Sequence, residues 1–398
     1  MAKTKSLLLL PPPPTIVDAS SIAAAYKQSI SATVSSLRNQ PTSTELQVVL
    51  PCPPTPWSDT QNLLATFYGL FCLVCVNLDV DVDTGTPGSV DARVLLLDYD
   101  ESWTENAGEQ HALSVHAGPI VELPTLAITR YQWDQIFSVD GEGGQKLLAH
   151  FANLANQTSP LLSGQFHTVS GGIIMKQNIL KEPQESIKSS SYHEVVAVGG
   201  TFDHLHAGHK LLLTATALLL KPQPVTSTRL RRLIVGITGD ELLKNKKYVE
   251  HLGTWEQRQD DVVDFLLSIL SFTTQDRESE VKKVQYNEPV PNGRAIHTTI
   301  NSSFLTIECV EIQDPFGPTI TDKSVTALVV SSETKSGGQA VNDKRVEKGW
   351  EPLEVYEVDV LDTSEDIDSS VKAKDFSSKI SSSAIRKRIA ETTQKSSL

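Results

Sequence analysis

The sequence predicts a two-domain α/β protein: a Rossmann-like, doubly wound parallel sheet in the C-terminal half, preceded by a separate mixed α/β domain. Its 398 residues exceed what one core ordinarily needs and suit two domains. In the second half, short β-branched runs alternate with helical stretches, as they do around a parallel sheet. A polar segment, residues 181–192, has no apolar periodicity and predicts a linker between domains 1–190 and 193–398.

Composition and charge restrict the function classes. Hydrophobic residues make up 39% of the chain and charged residues 21%, as in soluble globular proteins. The net charge of −13 disfavours broad, salt-dependent nucleic-acid binding, which needs a basic surface. No segment reaches about 18 consecutive apolar residues and no convincing targeting peptide is found, so we expect no membrane association.

The four cysteines do not form a recognisable metal site. Cys72 and Cys75 form a CxxC pair, but their neighbours are apolar and no second Cys or His pair stands nearby. We interpret them as buried thiols in the core stretch Leu63–Val76, because a free cysteine behaves as a small hydrophobe. Unpaired cysteines are typical of a reducing compartment, here the cytoplasm, with the nucleus also open.

The N-terminal domain shows strand and helix patterns without a catalytic constellation. Leu46–Leu50 and Ala92–Leu97 predict strands. The spaced apolar residues of Ile128–Leu154 predict helices interrupted near Gly141–Gly144. We therefore expect a regulatory or partner-binding role for residues 1–190.

The C-terminal domain alternates between strands and helices. Strands are predicted at Val195–Val198, Leu233–Ile237, Ile307–Ile312, Ala327–Val330 and Leu353–Val360. Helices are predicted at Gly208–Leu220, at Trp255–Ile269, near Gln339–Lys348 and from near Ser382. Two polar insertions, 221–229 and 274–301, are predicted to be surface loops. In such sheets ligands bind beyond the carboxyl ends of the strands, where the strand order changes direction.

The segment Gly199–His209, with the sequence GGTFDHLHAGH, joins a predicted strand to a predicted helix. At such a junction the free N–H groups and the dipole of the helix attract phosphate. Gly199 and Gly200 permit a tight turn and a close backbone approach. His206 and His209 lie three positions apart at the helix start, so their imidazoles point to one side. Because the strand, the two glycines and the helix follow one another directly along the chain, the segment predicts a site for nucleotide phosphates.

Two further segments carry the same kind of signal. Ile380–Arg386 (ISSSAIR) predicts a helix start whose serine hydroxyls and arginine suit phosphates, and residues 327–338 (ALVVSSETKSGG) follow a strand. With the His-x-Gly-His segment, they resemble the HxGH nucleotidylyltransferases, and among them the phosphopantetheine adenylyltransferases of eukaryotic, fungal monofunctional type. The resemblance extends to Asn342, Gly236–Lys246 and Asp314–Pro318, and covers nearly all of residues 194–391.

The resemblance implies that AMP passes from ATP to 4'-phosphopantetheine, giving 3'-dephospho-coenzyme A and pyrophosphate, with Mg²⁺ carried in on ATP. It implies the catalytic residues His209, Thr201 and Lys246. It implies the ATP-binding residues Gly199, Gly200, His206, His209, Ser381, Ser382, Ser383 and Arg386. It implies the acceptor-binding residues Thr201, Asp203, Lys246, Lys247, Glu333 and Thr334, and no metal-ligating residues. Lys244 is a weaker candidate for neutralising the acceptor phosphate, and Arg258 is a weaker candidate among the site residues. Either Lys335 or Arg345 is the nucleotide-side cation.

Other functions stay open at this point. An NMN adenylyltransferase or a cytidylyltransferase shares parts of these motifs, and the chain could chiefly be a scaffold subunit of a coenzyme A-synthesising complex. An aminoacyl-tRNA synthetase is disfavoured by the small domain and the acidic charge. The sequence has no Gly-rich loop ending in Gly-Lys-Ser/Thr, so we expect the final kinase step to lie elsewhere.

Overall fold

The computed structural model describes residues 3–53, 55–82, 86–100, 119–129, 133–157, 163–174, 192–222, 228–272, 277–290, 293–359, 361 and 381–396. Contacts divide the chain into two compact units. The first consists mainly of residues 1–190, and the second of residues 191–271, 275–360 and 380–398. The predicted linker, residues 181–192, lies outside the described residues except for Tyr192.

The first unit is built on a parallel sheet. Its described strands are β1 (Thr4–Leu9), β2 (Thr44–Pro51), β3 (Val90–Asp98), β4 (Ile120–Glu122), β5 (Gln135–Val139) and β6 (Phe166–Val169). Its described helices are α1 (Ala19–Leu37), α2 (Trp57–Asn77), α3 (Leu123–Ile128) and α4 (Glu142–Asn156). The strand order is β4-β3-β2-β1-β5-β6, so this unit is also doubly wound.

The first unit corrects one expectation and bears out another. Ile128–Leu154 was predicted to form helices interrupted near Gly141–Gly144, but Gln135–Val139 within it is strand β5, because a five-residue segment has no decisive periodicity. Helix α2 is long and apolar enough to cross a membrane, because its most apolar 18 residues have a mean hydropathy of 1.2. However, 72% of that 18-residue stretch is buried within the fold. Cys72 and Cys75, both on α2, are buried free thiols as predicted.

The second unit contains the predicted doubly wound sheet. Its described strands are β7 (Val195–Gly200), β8 (Arg231–Thr238), β9 (Val281–Val290), β10 (Gly293–Ile300), β11 (Leu305–Ile312), β12 (Ala327–Ser331) and β13 (Glu354–Val358). Its described helices are α5 (Ala207–Ala217), α6 (Trp255–Leu270), the single turn α7 (Arg277–Glu280), α8 (Lys335–Glu347) and α9 (Ser382–Ser396). The strand order is β13-β12-β7-β8-β11-β10-β9, and the pairs from β13 to β11 are parallel.

The predicted surface loop at 274–301 is instead a β-hairpin, in which β9 and β10 extend the sheet in antiparallel fashion. Ile296, Thr298 and Ile300 are buried on one face of β10. The outermost strand β9 carries charged, exposed residues such as Lys282, which is how edge strands avoid further pairing. That polarity hid the hairpin from sequence reasoning. Most of the other insertion, residues 223–227, lies outside the described residues.

The order of the strands identifies the edge where a ligand fits. From β7 the chain proceeds to β8 and β11 on one side, and then returns to β12 and β13 on the other. The direction of winding therefore changes between β7 and β12, and the crevice beyond their carboxyl ends is the usual ligand site of such sheets. The loop Thr201–His206 leaves β7 at this crevice, and the turn Ser332–Thr334 leaves β12 there.

Candidate active site

The loop between β7 and α5 is held in an uncommon backbone conformation. Phe202 and His204 have φ values of 49° and 46°, in the left-handed region that non-glycine residues seldom occupy. The Phe202 ring is fully buried, and a Cβ on Gly200 would lie 3.1 Å from it. A side chain at position 200 would therefore require this buried ring to shift by a few tenths of an ångström. A Cβ on Gly199 would meet only the Gly236 carbonyl oxygen, at 4.0 Å.

The two histidines of the motif lie together at the start of α5. Their rings stack with centroids 3.9 Å apart and an interplanar angle of 19°. His206 is the residue that caps α5, and its side chain accepts no hydrogen bond from the first turn. A Cβ on Gly208 would lie 3.3 Å from the His206 ring, so glycine leaves room for that ring against the backbone. The helix end thus presents N–H groups and two imidazoles together.

Burial keeps both imidazoles neutral. It lowers the pKa of His209 to about 4, and the nearby Asp203 carboxylate opposes this only in part. Burial lowers the pKa of His206 well below its usual value, and positive charge on His209 and Lys210 would lower it further. Within the described residues, the Nδ1 atoms of His206 and His209 are buried without a hydrogen-bond partner. An anionic ligand would supply a partner and would raise both pKa values.

Asp203 and Arg386, predicted to bind acceptor and ATP respectively, are instead paired with each other. Their side chains form a buried ion pair and have relative exposures of 1% and 2%. The Asp203 Oδ1 also accepts the Gly253 N–H at 3.1 Å, and Arg386 Nε donates to the Lys247 carbonyl at 3.1 Å. Both side chains have partners within the protein, and their predicted contacts with acceptor and ATP stay predictions.

The three serines begin helix α9 beside this ion pair. The Ser382 hydroxyl donates to the Asp203 carbonyl at 2.8 Å, and the Ser383 hydroxyl accepts from Arg386 at 3.1 Å. The Ser381 carbonyl accepts the Ile385 N–H at 2.9 Å, which closes the first turn. The start of α9 therefore packs on the His-x-Gly-His loop, whereas the contact of the serines with triphosphate stays a prediction.

Arg258, a weaker candidate in the sequence, binds backbone carbonyls of the loops around the site. Its side chain is 1% exposed and donates to the carbonyls of Thr201 at 2.7 Å, Thr238 at 2.9 Å and Gly253 at 3.0 Å. It also pairs with Asp240 at 2.7 Å. It thereby joins the ends of β7 and β8 to the start of α6. Its place on the buried stripe of α6 was the signal in the sequence that could have revealed this.

The loop after β8 carries the candidate acceptor lysines. Lys244, Lys246 and Lys247 are all exposed, and Lys244 also pairs with Glu241. The loop is tied to the imidazole loop by a hydrogen bond of 3.0 Å between His204 Nε2 and the His251 carbonyl. Sequence reasoning missed this contact because the two residues lie 47 positions apart.

The end of β12 supplies a third group of candidates. Glu333 and Thr334 lie in an exposed turn at the carboxyl edge, and the Thr334 hydroxyl accepts the Ser331 N–H at 3.1 Å. Lys335 begins α8 at the same edge and pairs with Glu357 at 2.7 Å. Arg345 is only 2% exposed and donates to backbone carbonyls, including that of Thr319 at 2.7 Å. Arg345 is thus bound to backbone carbonyls and Lys335 is exposed at the carboxyl edge, and the choice between them as nucleotide-side cation stays a prediction.

Comparisons with known proteins agree with this geometry. A family model described as cytidylyltransferase-like matches residues 197–388, and a second, described as a domain of unknown function (DUF8446), matches residues 1–175. The Schizosaccharomyces pombe protein named "Uncharacterized protein C1F12.08" is 32% identical over 279 residues, which are 69% of this chain and 74% of that protein.

Two relatives carry the name "Phosphopantetheine adenylyltransferase". The one from Saccharomyces cerevisiae is 34% identical over 224 residues, 56% of this chain, and the alignment spans about half of that relative, 57%. The one from Pyrococcus abyssi is 32% identical over 191 residues, which are 48% of this chain and 87% of that protein.

The fold and the site together define a nucleotidylyltransferase. A doubly wound parallel sheet presents a His-x-Gly-His helix start at its change of winding, and the cytidylyltransferase-like model spans this region. Within that class, the chain belongs to the phosphopantetheine adenylyltransferase family.

Proposed function

We propose that the protein transfers AMP from ATP to 4'-phosphopantetheine, giving 3'-dephospho-coenzyme A and pyrophosphate. The observation that carries the proposal is the pair of stacked, neutral imidazoles at the start of α5, in a chain whose relatives bear the name of this activity. A cytidylyltransferase or an NMN adenylyltransferase is the alternative within the same class.

In this reaction the protein positions the substrates and stabilises charge, and it does not supply a nucleophile. A phosphate oxygen of the acceptor attacks the α-phosphorus of ATP, and pyrophosphate leaves from the opposite side. His206 and His209 donate hydrogen bonds to the phosphates, and His209 follows the α-phosphate as its charge develops. Because both imidazoles are neutral without a ligand, the approach of the triphosphate favours proton uptake by them.

The acceptor is held from the other side of the crevice. The Thr201 hydroxyl, directly after β7, binds the attacking phosphate in this proposal. The exposed ammonium groups of Lys246 and Lys247 neutralise the charge of that phosphate. Glu333 and Thr334, at the end of β12, contact the pantetheine side.

Mg²⁺ enters as part of the ATP substrate in this proposal. Among the residues that the structure describes, there is no group of three or more His, Cys, Asp or Glu side chains that could hold a metal ion. The buried carboxylate of Asp203 is paired with Arg386. In this proposal the metal is held by phosphate oxygens and water, as is common for Mg²⁺ on nucleotides.

For the first unit we propose a docking or regulatory role, with other coenzyme A biosynthetic enzymes as partners. Its support is that residues 1–175 match a family of their own, separate from the enzyme domain. The proposal is tested by deleting residues 1–190: retained turnover with loss of co-purifying partners supports docking. We place the protein in the cytoplasm, with the nucleus also open, on its buried free cysteines.

Pyrophosphate release tests the proposed reaction. ATP and CTP are each offered with 4'-phosphopantetheine, NMN or phosphocholine, and we expect release only from ATP with 4'-phosphopantetheine. His209→Ala should lower kcat by about 100-fold or more, the usual cost of one donor to a developing oxyanion. Release from CTP, or from ATP with NMN, would assign the alternative function instead.

A further inference from the structure

One buried guanidinium joins the C-terminal helix α9 to two loops of the site. Arg386 pairs with the carboxylate of Asp203, in the loop that leads to the imidazoles. Its Nε donates at 3.1 Å to the carbonyl of Lys247, in the loop that carries the candidate acceptor lysines. A single side chain of α9 therefore contacts both the nucleotide side and the acceptor side.

Neighbouring hydrogen bonds connect the same two loops and the start of α9 around this ion pair. The Asp203 carboxylate also accepts the Gly253 N–H at 3.1 Å, and its backbone carbonyl accepts the Ser382 hydroxyl at 2.8 Å. His204 reaches the His251 carbonyl at 3.0 Å. Because Asp203 is fully buried, its negative charge needs Arg386 as a partner, so that loss of Arg386 alone would leave an unpaired charge in the core.

The same geometry argues against Arg386 as a phosphate ligand. Its Nε, Nη1 and Nη2 donate to Lys247, Asp203 and Ser383 respectively. The side chain is 2% exposed, and its positive charge is already balanced by Asp203. Three of the five N–H donors of the guanidinium are thus used within the protein, and these contacts support positioning rather than phosphate binding.

We infer that Arg386 is a positioning residue: through Asp203 and the Lys247 carbonyl, it fixes the acceptor loop relative to the two imidazoles. The consequence for catalysis rests on the proposed function: a fixed acceptor loop holds the acceptor phosphate in line with the α-phosphorus of ATP. An ångström of misplacement is enough to slow such a reaction substantially. We call the contacts of Arg386 with Asp203 and with the Lys247 carbonyl the clamp, and it can be tested by measurements that do not depend on turnover.

Arg386→Lys separates positioning from phosphate binding. Lysine can still neutralise Asp203, but it lacks the Nε donor through which Arg386 binds the Lys247 carbonyl. We expect the ATP affinity, measured by calorimetry, to stay within about twofold. We expect KM for 4'-phosphopantetheine to rise about tenfold or more, as for the loss of one charge-assisted hydrogen bond. A loss of ATP affinity with an unchanged acceptor KM would overturn the inference.

Lys387→Met is the matched control on the same helix. Lys387 is 48% exposed and pairs only loosely with Glu391, at 3.6 Å. Its removal should leave both the ATP affinity and the acceptor KM unchanged. If this control altered the acceptor KM as strongly as Arg386→Lys, the effect would belong to α9 in general and the inference would fail.

Hydrogen exchange, read by mass spectrometry on the full chain, tests the clamp independently of activity. Arg386→Met should accelerate exchange in both segments 203–209 and 247–253, including the Gly253 amide. The double variant Asp203→Asn with Arg386→Met should melt higher than Arg386→Met alone, because it leaves no unpaired buried charge. Acceleration confined to α9 would refute the clamp. Failure of the wild type to release pyrophosphate would instead refute the proposed reaction and leave the exchange result standing.

Discussion

Gly208→Ala should raise or preserve stability while it lowers activity, and these opposite signs test the geometry of the site. The new Cβ would lie 3.3 Å from Cε1 and Nδ1 of His206, closer than ordinary contact, so that ring must shift by a few tenths of an ångström. Its shift is constrained by His209, which stacks on it at 3.9 Å. The substitution therefore disturbs the imidazole pair without enlarging any cavity.

The two effects have different magnitudes. Alanine in place of glycine within a helix stabilises by up to about 1 kcal/mol, which should appear in denaturant unfolding as an unchanged or higher midpoint. Misplacement of a group that contacts the reacting phosphates lowers kcat/KM by about 10- to 100-fold. Steady-state pyrophosphate release measures the second effect on the same preparation.

Gly143→Ala is the control for this prediction. Gly143 is also the second residue of a helix, α4, and its added Cβ would meet only the Cβ of Pro11, at 3.4 Å. It should keep full turnover with the same small change in stability. Full turnover by Gly208→Ala would refute the idea that close packing of His206 against the helix backbone matters for the reaction.

Three further predictions follow from buried groups. Arg258→Met leaves three backbone carbonyls without their donor, so the free energy of unfolding should fall by about 3 kcal/mol or more in urea titrations; an unchanged midpoint would contradict its role. The pKa of His209, about 4 when folded, is depressed, so folding without ligand should lose stability as the pH falls from about 6.5 toward 4. His209→Gln should flatten that dependence, and identical curves would contradict the pKa. Lys335→Ala should raise KM for ATP, whereas Arg345→Lys should lower the melting temperature and leave KM for ATP unchanged; the reverse pattern would restore Arg345 as the nucleotide-side cation.

The position of the site was predictable because its signals are local. A buried strand, two glycines, a His-x-Gly-His spacing and a helix all lie within fifteen residues of one another in the printed sequence, and each has a direct physical meaning. The alternation of strands with helices then places this junction at the edge where ligands bind. The doubly wound fold of the second unit was confirmed for the same reason.

The rest depended on contacts between distant residues. Asp203 and Arg386 lie 183 positions apart, and nothing near either one indicates that they neutralise each other in the core. Arg258 was a weaker candidate and Arg345 a candidate nucleotide-side cation, because a sequence does not show which arginines are buried against backbone carbonyls. The left-handed φ values of Phe202 and His204 are equally invisible, since neither is a residue type that favours them.

Strand β5 and the hairpin β9–β10 were missed for reasons of pattern. Gln135–Val139 is too short for its periodicity to separate strand from helix. In the hairpin, the exposed edge strand is rich in charge and so resembles a loop in sequence.

A crystal structure with a non-hydrolysable ATP analogue and Mg²⁺ tests the central claim most directly. The account predicts that the triphosphate lies at the start of α5, with its oxygens within hydrogen-bond distance of His206 and His209. A nucleotide bound elsewhere, with the two rings still stacked and no phosphate beside them, would contradict it.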